Sequence, residues 1–204
     1  MEQFERRMEG WNRLERLGGW KRLAALASTS LACCSVAAPA PWQPWTLRFG
    51  NKHTASWAPL NDGVMGGRSS GHVVWTDDAM VWEGATSLAN NGGFASVRSP
   101  WGETDLQGMA EVVVTCRGTG GPFKFTLETS RQWWLPYAYV SFEPEETWNE
   151  VVLPLRAFRW NMARVGDLYG VKSGDLSRVL RLGVMKYDGT ATPFHLEIRA
   201  VEFR

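Results

Sequence analysis

Three cysteines in 204 residues, two of them adjacent at Cys33 and Cys34, cannot build a disulfide framework or a metal site. The third, Cys116, lies in the apolar run Val112-Val113-Val114-Thr115-Cys116, where a lone cysteine reads as a small core residue. Charge of one sign is also missing. Lys and Arg total 22 against 21 Asp and Glu, a formal net charge of +1, so no field exists to drive nucleic-acid binding. No run suits a membrane span either: the uncharged stretch from Leu23 to Leu47 is rich in Ala and Ser rather than Leu. Helical spacing is nearly absent beyond it, with only Asp175–Leu180 hinting at a helical turn.

The inventory for catalysis is equally thin. His53, His72 and His195 are scattered, and His195 alternates with Phe194 and Leu196 as a surface residue of a strand would. No serine sits in a nucleophile elbow, and no His–Glu pair has zinc spacing. Glu143, Glu145 and Glu146 cluster around Pro144. A glycosidase draws its two carboxyls from separate elements, so this run reads as a solvated turn. Gly66-Gly67-Arg68-Ser69 lacks the lysine and following helix of a phosphate-binding loop. Asp62 alone cannot supply the six or more oxygens that calcium takes. The sequence therefore predicts no enzyme, no cofactor and no metal.

What is present is glycine, tryptophan and alternation. Two glycine-rich runs stand out, Asn61-Asp62-Gly63-Val64-Met65-Gly66-Gly67-Arg68-Ser69-Ser70-Gly71 and Asn90-Asn91-Gly92-Gly93-Phe94-Ala95-Ser96-Val97-Arg98. Asn and Gly tolerate positive φ, so each run can reverse the chain between strands. Short alternating segments surround them, giving strands expected at Trp45–Phe49, Gly71–Thr76, Met80–Ser87, Phe94–Ser99, Ala110–Arg117, Pro122–Glu128, Tyr137–Phe142, Thr147–Leu153, Val179–Tyr187 and Pro193–Phe203. In the last, Phe194, Leu196 and Ile198 share one parity and Val201 and Phe203 the other, which predicts a bulge near Arg199–Ala200. Many short strands separated by turns predict an all-β, antiparallel sandwich.

The chain has 12 tryptophans, and most of those between Trp57 and Trp160 are expected in the core. If Ala138, Val140 and Phe142 are buried, Tyr137 and Tyr139 point outward. An unbroken backward extension of that strand would add Trp133 and Leu135 to the same face and turn Trp134 away. Lys124, Thr126, Ser96 and Arg98 can join that outer sheet face; the other reading is an edge covered by a loop.

Residues 1–44 read as a leader and linker ahead of a domain over 45–204. Lys21-Arg22 flanks an Ala-rich stretch, and Ser35-Val36-Ala37 before Ala38 fits a small-residue cleavage site, the organisation of an export signal. The alternative is a disordered or loosely helical leader on a cytoplasmic protein. Pro39, Pro41 and Pro44, with Trp42 among them and Trp45 just after, read as an extended linker.

The two glycine runs, followed by Trp148-Asn149-Glu150-Val151-Val152-Leu153-Pro154-Leu155-Arg156-Ala157-Phe158 and Gly189-Thr190-Ala191-Thr192-Pro193-Phe194-His195-Leu196-Glu197-Ile198, resemble in order the signatures of the CIA30 family, named for the complex I intermediate-associated protein. The resemblance spans about Trp45 to Arg204. It implies a galactose-binding-type jelly roll and a chaperone-like role in assembling a respiratory or photosynthetic membrane complex, with a protein partner and no chemistry. Met185-Lys186-Tyr187-Asp188 departs from the Asp-Lys-Gln-like run that the family often has before its last strand. Under this reading the partner meets Asn61, Asp62, Met65, Gly66, Gly67, Arg68, Ser69, Asn90, Asn91, Gly92, Gly93, Phe94 and Arg98. Asn61, Asp62 and Asn91 fix loop shape through side-chain hydrogen bonds, while Arg68 and Arg98 contact the partner. The alternative is a carbohydrate-binding module of an exported protein, with Trp133, Tyr137, Tyr139 and Lys124 as its platform beside Arg98.

Overall fold

The computed structural model describes residues 42–51, 56–163 and 165–204. Residues 1–41, which carry the export reading and the Cys33–Cys34 pair, and His53 lie outside the described residues. Thirteen strands appear among the described residues: β1 (Trp45–Arg48), β2 (Ala58–Asn61), β3 (Ser70–Trp75), β4 (Met80–Ala85), β5 (Ala95–Arg98), β6 (Glu111–Thr119), β7 (Phe123–Glu128), β8 (Tyr137–Phe142), β9 (Asn149–Pro154), β10 (Arg159–Met162), β11 (Gly166–Gly170), β12 (Arg181–Lys186) and β13 (Pro193–Phe203).

They form two antiparallel sheets. One runs β3-β4-β13-β6-β9, with β1 also on β13; the other runs β11-β10-β8-β7-β12-β5-β2. Alternation sets the faces. On β7, Phe123, Phe125 and Leu127 are fully buried, and on β13 Phe194, Leu196 and Ile198 point inward. The pairing register of β13 on β6 shifts between Ile198 and Ala200, after which Val201 and Phe203 take over the inward positions. The expected bulge is therefore real. Aromatic rings join the sheets: Phe123 meets Phe194 edge-on at 6.1 Å and Phe125 meets Phe203 at 6.5 Å between centroids.

Three strands escape the sequence pattern. β2 contains Pro59, which ordinarily demotes a strand, but β2 is the outermost strand of its sheet, where a missing N–H costs no ladder bond. β10 and β11 are four and five residues long and too mixed in polarity to alternate. The expected helical turn is a 3₁₀ turn at Ser173–Leu176, earlier than the sequence placed it. Cys116 is fully buried, and burial pushes its thiol up to about 12. The tryptophan expectation fails. Of the eight from Trp57 to Trp160, only Trp57, Trp82 and Trp160 are buried, while Trp101, Trp133 and Trp134 are exposed.

Candidate functional site

The two glycine-rich loops meet on one carboxylate. Asp62 is completely buried. Its Oδ1 accepts the Ser69 N–H at 2.9 Å; its Oδ2 accepts the Ser69 hydroxyl at 2.6 Å and the Gly93 and Phe94 N–H groups at 2.7 and 3.2 Å. Burial works against ionisation, but these donors outweigh it and hold the carboxyl below its ordinary value. The glycines make room. A Cβ on Gly67 would fall 2.3 Å from Asp62 Cγ, and one on Gly92 would fall 2.5 Å from Oδ2. The Asn90 amide then donates to the Gly66 carbonyl at 3.1 Å, and Asn61 donates to the Gly71 carbonyl at 3.0 Å. Asn90, not Asn91, ties the loops together; both adopt positive φ. The result is one ledge with Val64, Met65, Arg68 and Leu88 exposed along it. Neither Val64 nor Leu88 was singled out from sequence.

The outward face of the seven-stranded sheet adjoins this ledge. In register across it stand Ala58, Arg98, Gly183, Thr126, Tyr139, Arg159 and Gly170. The neighbouring row is Leu60, Ser96, Met185, Lys124 and Ser141. Lys124, Thr126, Ser96, Arg98, Tyr137 and Tyr139 thus share one face, and Ser96 and Thr126 are buried within it. Glu128 is bridged by Arg98 at 2.9 Å and Arg181 at 2.7 Å. The Lys124 ammonium sits 4.5 Å from the ring centroid of Tyr139 and 5.0 Å from that of Tyr187. Burial lowers the Lys124 pKa, and burial pushes the phenols of Tyr137 and Tyr139 up to about 12. Tyr139 donates its hydroxyl to Asp167 at 2.8 Å. Arg181, Glu128 and Tyr187 are members of this face that outward parity on β12 and β7 would have revealed.

Trp133 does not join the strand face. Residues 132–135 form a turn closed by the Leu135 N–H on the Gln132 carbonyl at 3.0 Å, so β8 has no backward extension. Trp133 and Trp134 are both exposed, at 67% and 52%, and meet edge-on at 5.9 Å. Trp101, 37% exposed, carries Arg181 at 3.8 Å and Arg131 at 5.5 Å from its centroid.

On the outer face of the other sheet, two histidines that look scattered in sequence converge on Glu83. His72 Nε2 lies 3.2 Å from one oxygen and His195 Nδ1 lies 2.9 Å from the other, while His195 Nε2 reaches Glu197 at 3.1 Å. Among the described residues, no group of three or more His, Cys, Asp or Glu side chains is placed to hold a metal ion. No described helix is long and apolar enough to cross a membrane. A cleft of about 480 Å³ is walled by Trp45, Leu47, Trp57 and Leu182 among others; among the described residues its charged lining side chains are Arg48 and Arg181.

Comparison with solved structures gives the same architecture. The chain is similar to the family 11 carbohydrate-binding module of the cellulosomal cellulase Lic26A-Cel5E of Clostridium thermocellum, with 13% identity, a TM-score of 0.57, and coverage of 79% of this chain and 94% of that one. A family 11 module from the same organism, in complex with a beta-1,3-1,4-mixed-linked tetrasaccharide, matches at 15% identity and a TM-score of 0.56, over 78% and 94% of the two chains. At such identities the likeness shows the fold, a jelly-roll sandwich. Comparison with curated protein sequences gives no match. The family model for complex I intermediate-associated protein 30 matches residues 47–198, from β1 through most of β13 and including both glycine-rich loops, and the chain belongs to the CIA30 family.

Proposed function

We propose that this domain is a non-catalytic assembly-factor module that holds a protein partner, in a chaperone-like way, during construction of a respiratory or photosynthetic membrane complex. The observation that carries the reading is the ledge. The buried Asp62 carboxylate fastens both glycine-rich loops from beneath and leaves Val64 and Met65 at 69% and 59% exposure, with Leu88 at 50%. Loops already fixed lose little freedom on docking, and bare aliphatic side chains suit a protein surface. Arg68 and Arg98 bracket the ledge and the sheet face; Arg98 is engaged by Glu128, which leaves Arg68 as the exposed cation for the partner. The test is co-migration of the protein with an assembly intermediate on native gels of solubilised membranes. The double substitution Val64→Asp/Met65→Asp is expected to abolish co-migration without changing the unfolding midpoint. Co-migration equal to the parent's would overturn the reading.

A second reading, a glycan-binding module of an exported protein, is favoured by one observation: the Trp133 ring stands open beside a strand carrying Tyr137 and Tyr139, on a fold shared with carbohydrate-binding modules. Sugar stacking needs free ring faces. Here Lys124 occupies faces of Tyr139 and Tyr187, and Arg181 covers Trp101. Titration calorimetry with a mixed-linked glucan oligosaccharide, giving heat that Trp133→Ala removes, would install this reading in place of the first.

A further inference from the structure

The loop joining β7 to β8 has no part in the ledge and none in the core. Its turn at residues 132–135 lifts Trp133, Trp134 and Leu135 into solvent, at 67%, 52% and 39% exposure. Ser130 accepts the Gln132 N–H and so is spent on shaping the loop. From Thr129 to Phe142 there is no Asp or Glu. Arg131 stands at the base of the turn over Trp101, with Arg181 on the same ring. The nearest carboxylate in sequence, Glu128, is consumed by Arg98 and Arg181; Glu103 is matched by Arg178 at 2.9 Å. This end of the sandwich therefore presents indole rings with an excess of cations around them.

We propose that the β7–β8 loop is a membrane-surface anchor, seating Trp133 and Trp134 among the headgroups of an anionic bilayer with Arg131 against the lipid phosphates. Indole combines a large apolar body with one N–H donor, the combination enriched at the membrane–water interface. Two adjacent indoles at a loop tip have no pocket of their own to fill. A sugar site would need hydrogen-bonding groups ringed around both rings; in this loop Ser130 is committed to its own turn, and Gln132 is the one exposed amide beside the indoles. The cations supply complementarity to an acidic lipid surface. By the strand registers, the ledge of Asp62 lies at the other end of the same sheet, since it precedes β5 and follows β2 whereas this loop follows β7. The six residues of β7 separate the two ends by about 20 Å. An anchored domain thus holds its ledge clear of the lipid. The proposal does not depend on which partner the ledge takes.

The test is co-sedimentation of the full chain with phosphatidylcholine vesicles with and without phosphatidylglycerol, together with quenching of tryptophan emission by lipids brominated near the headgroup. The parent is expected to sediment with the anionic vesicles, less so as salt rises, and to be quenched. Trp133→Ser/Trp134→Ser is expected to lower the partition coefficient about tenfold or more with the unfolding midpoint unchanged. Arg131→Gln is expected to lower it about fivefold on anionic vesicles only. Absence of sedimentation, or a double variant that sediments as the parent does, overturns the proposal. So does a glucan oligosaccharide that binds the parent and not the Trp133→Ser/Trp134→Ser variant. Val64→Asp/Met65→Asp leaves vesicle binding intact, which separates this test from that of the ledge.

Discussion

Replacing Asp62 by alanine tests the physical basis of the ledge. Four hydrogen bonds end on this side chain: three from backbone N–H groups of Ser69, Gly93 and Phe94, and one from the Ser69 hydroxyl. The hydroxyl can fall back on the Ser87 carbonyl at 3.4 Å. The three N–H groups have no such substitute, and a buried donor left unpaired costs about 1–3 kcal/mol. Relaxation and water entry into the vacated space reduce the sum, so Asp62→Ala is expected to destabilise by about 3–6 kcal/mol. That is a large share of the roughly 5–15 kcal/mol that holds a domain folded. Asp62→Asn keeps an acceptor at one oxygen position but sets an amide NH₂ against an N–H donor, and is expected to cost about 1–3 kcal/mol. Urea unfolding of both variants measures this. Gly67→Ala, whose Cβ would collide with the same carboxylate, supplies the cross-check. Its cost is expected to shrink when Asp62 is already alanine, because the nearer obstacles, Cγ and Oδ1 at 2.3 and 2.4 Å, have gone and only the Cβ at 2.8 Å remains. Acid unfolding adds a sign. A carboxyl held below its ordinary 3.8 contributes stability that is complete above that value and lost as pH falls through its lower folded value. Asp62→Asn should flatten that part of the profile. A cost below about 1 kcal/mol for Asp62→Ala, or strict additivity with Gly67→Ala, would refute the reasoning.

Two further outcomes follow from the same logic. Burial works against protonation of His195, but hydrogen bonds to Glu197 and Glu83 outweigh it and raise its pKa above 6.5; Glu83, His72, Glu197 and Arg117 are the charged groups around it. Its stabilisation is complete below pH 6.5 and disappears as pH rises through the raised value, so thermal unfolding of the parent should lose a shallow slope there when His195→Gln is introduced. Lys186 is fully buried and donates to Asp188 and, at 3.1 Å, to the Gly121 carbonyl. Lys186→Ala takes away the carboxylate's cation and leaves it only the Thr190 N–H and hydroxyl, and is expected to cost about 3 kcal/mol in urea unfolding.

The sandwich was legible because its strands alternate. Phe123, Phe125 and Leu127 announce a face, and the parity change between Ile198 and Val201 announces the bulge. β2, β10 and β11 were not legible, since strands of four or five residues, β2 and β11 at the sheet's edges and β10 beside β11, need only satisfy hydrogen bonds, and those leave no trace in polarity. The loops could be read as turns, with Asn61 and Asp62 shaping them, but not as partners. Nothing local tells that Gly67 and Gly92, 25 positions apart in a chain of Asn and Gly, clear space for one carboxylate. The tryptophans misled for a related reason. Composition favours burial of indole, whereas Trp133 and Trp134 owe their exposure to a turn at Gln132–Leu135 that breaks the alternation behind Tyr137. His72 and His195 meet only because β3 and β13 both flank β4.

The position of β13 bears on how the protein comes into being. Eleven residues long, it lies between β4 and β6 and also receives β1. Without it the six-stranded sheet is three separate pieces: the hairpin β3–β4, the pair β6–β9, and β1 alone. Contacts this distant in sequence make for slow acquisition of structure. A ribosome-bound chain lacking residues 193–203 would therefore display open sheet edges and the ring faces of Trp82 and Phe123. Until β13 emerges, the sandwich would depend on an escort to keep those edges and rings covered.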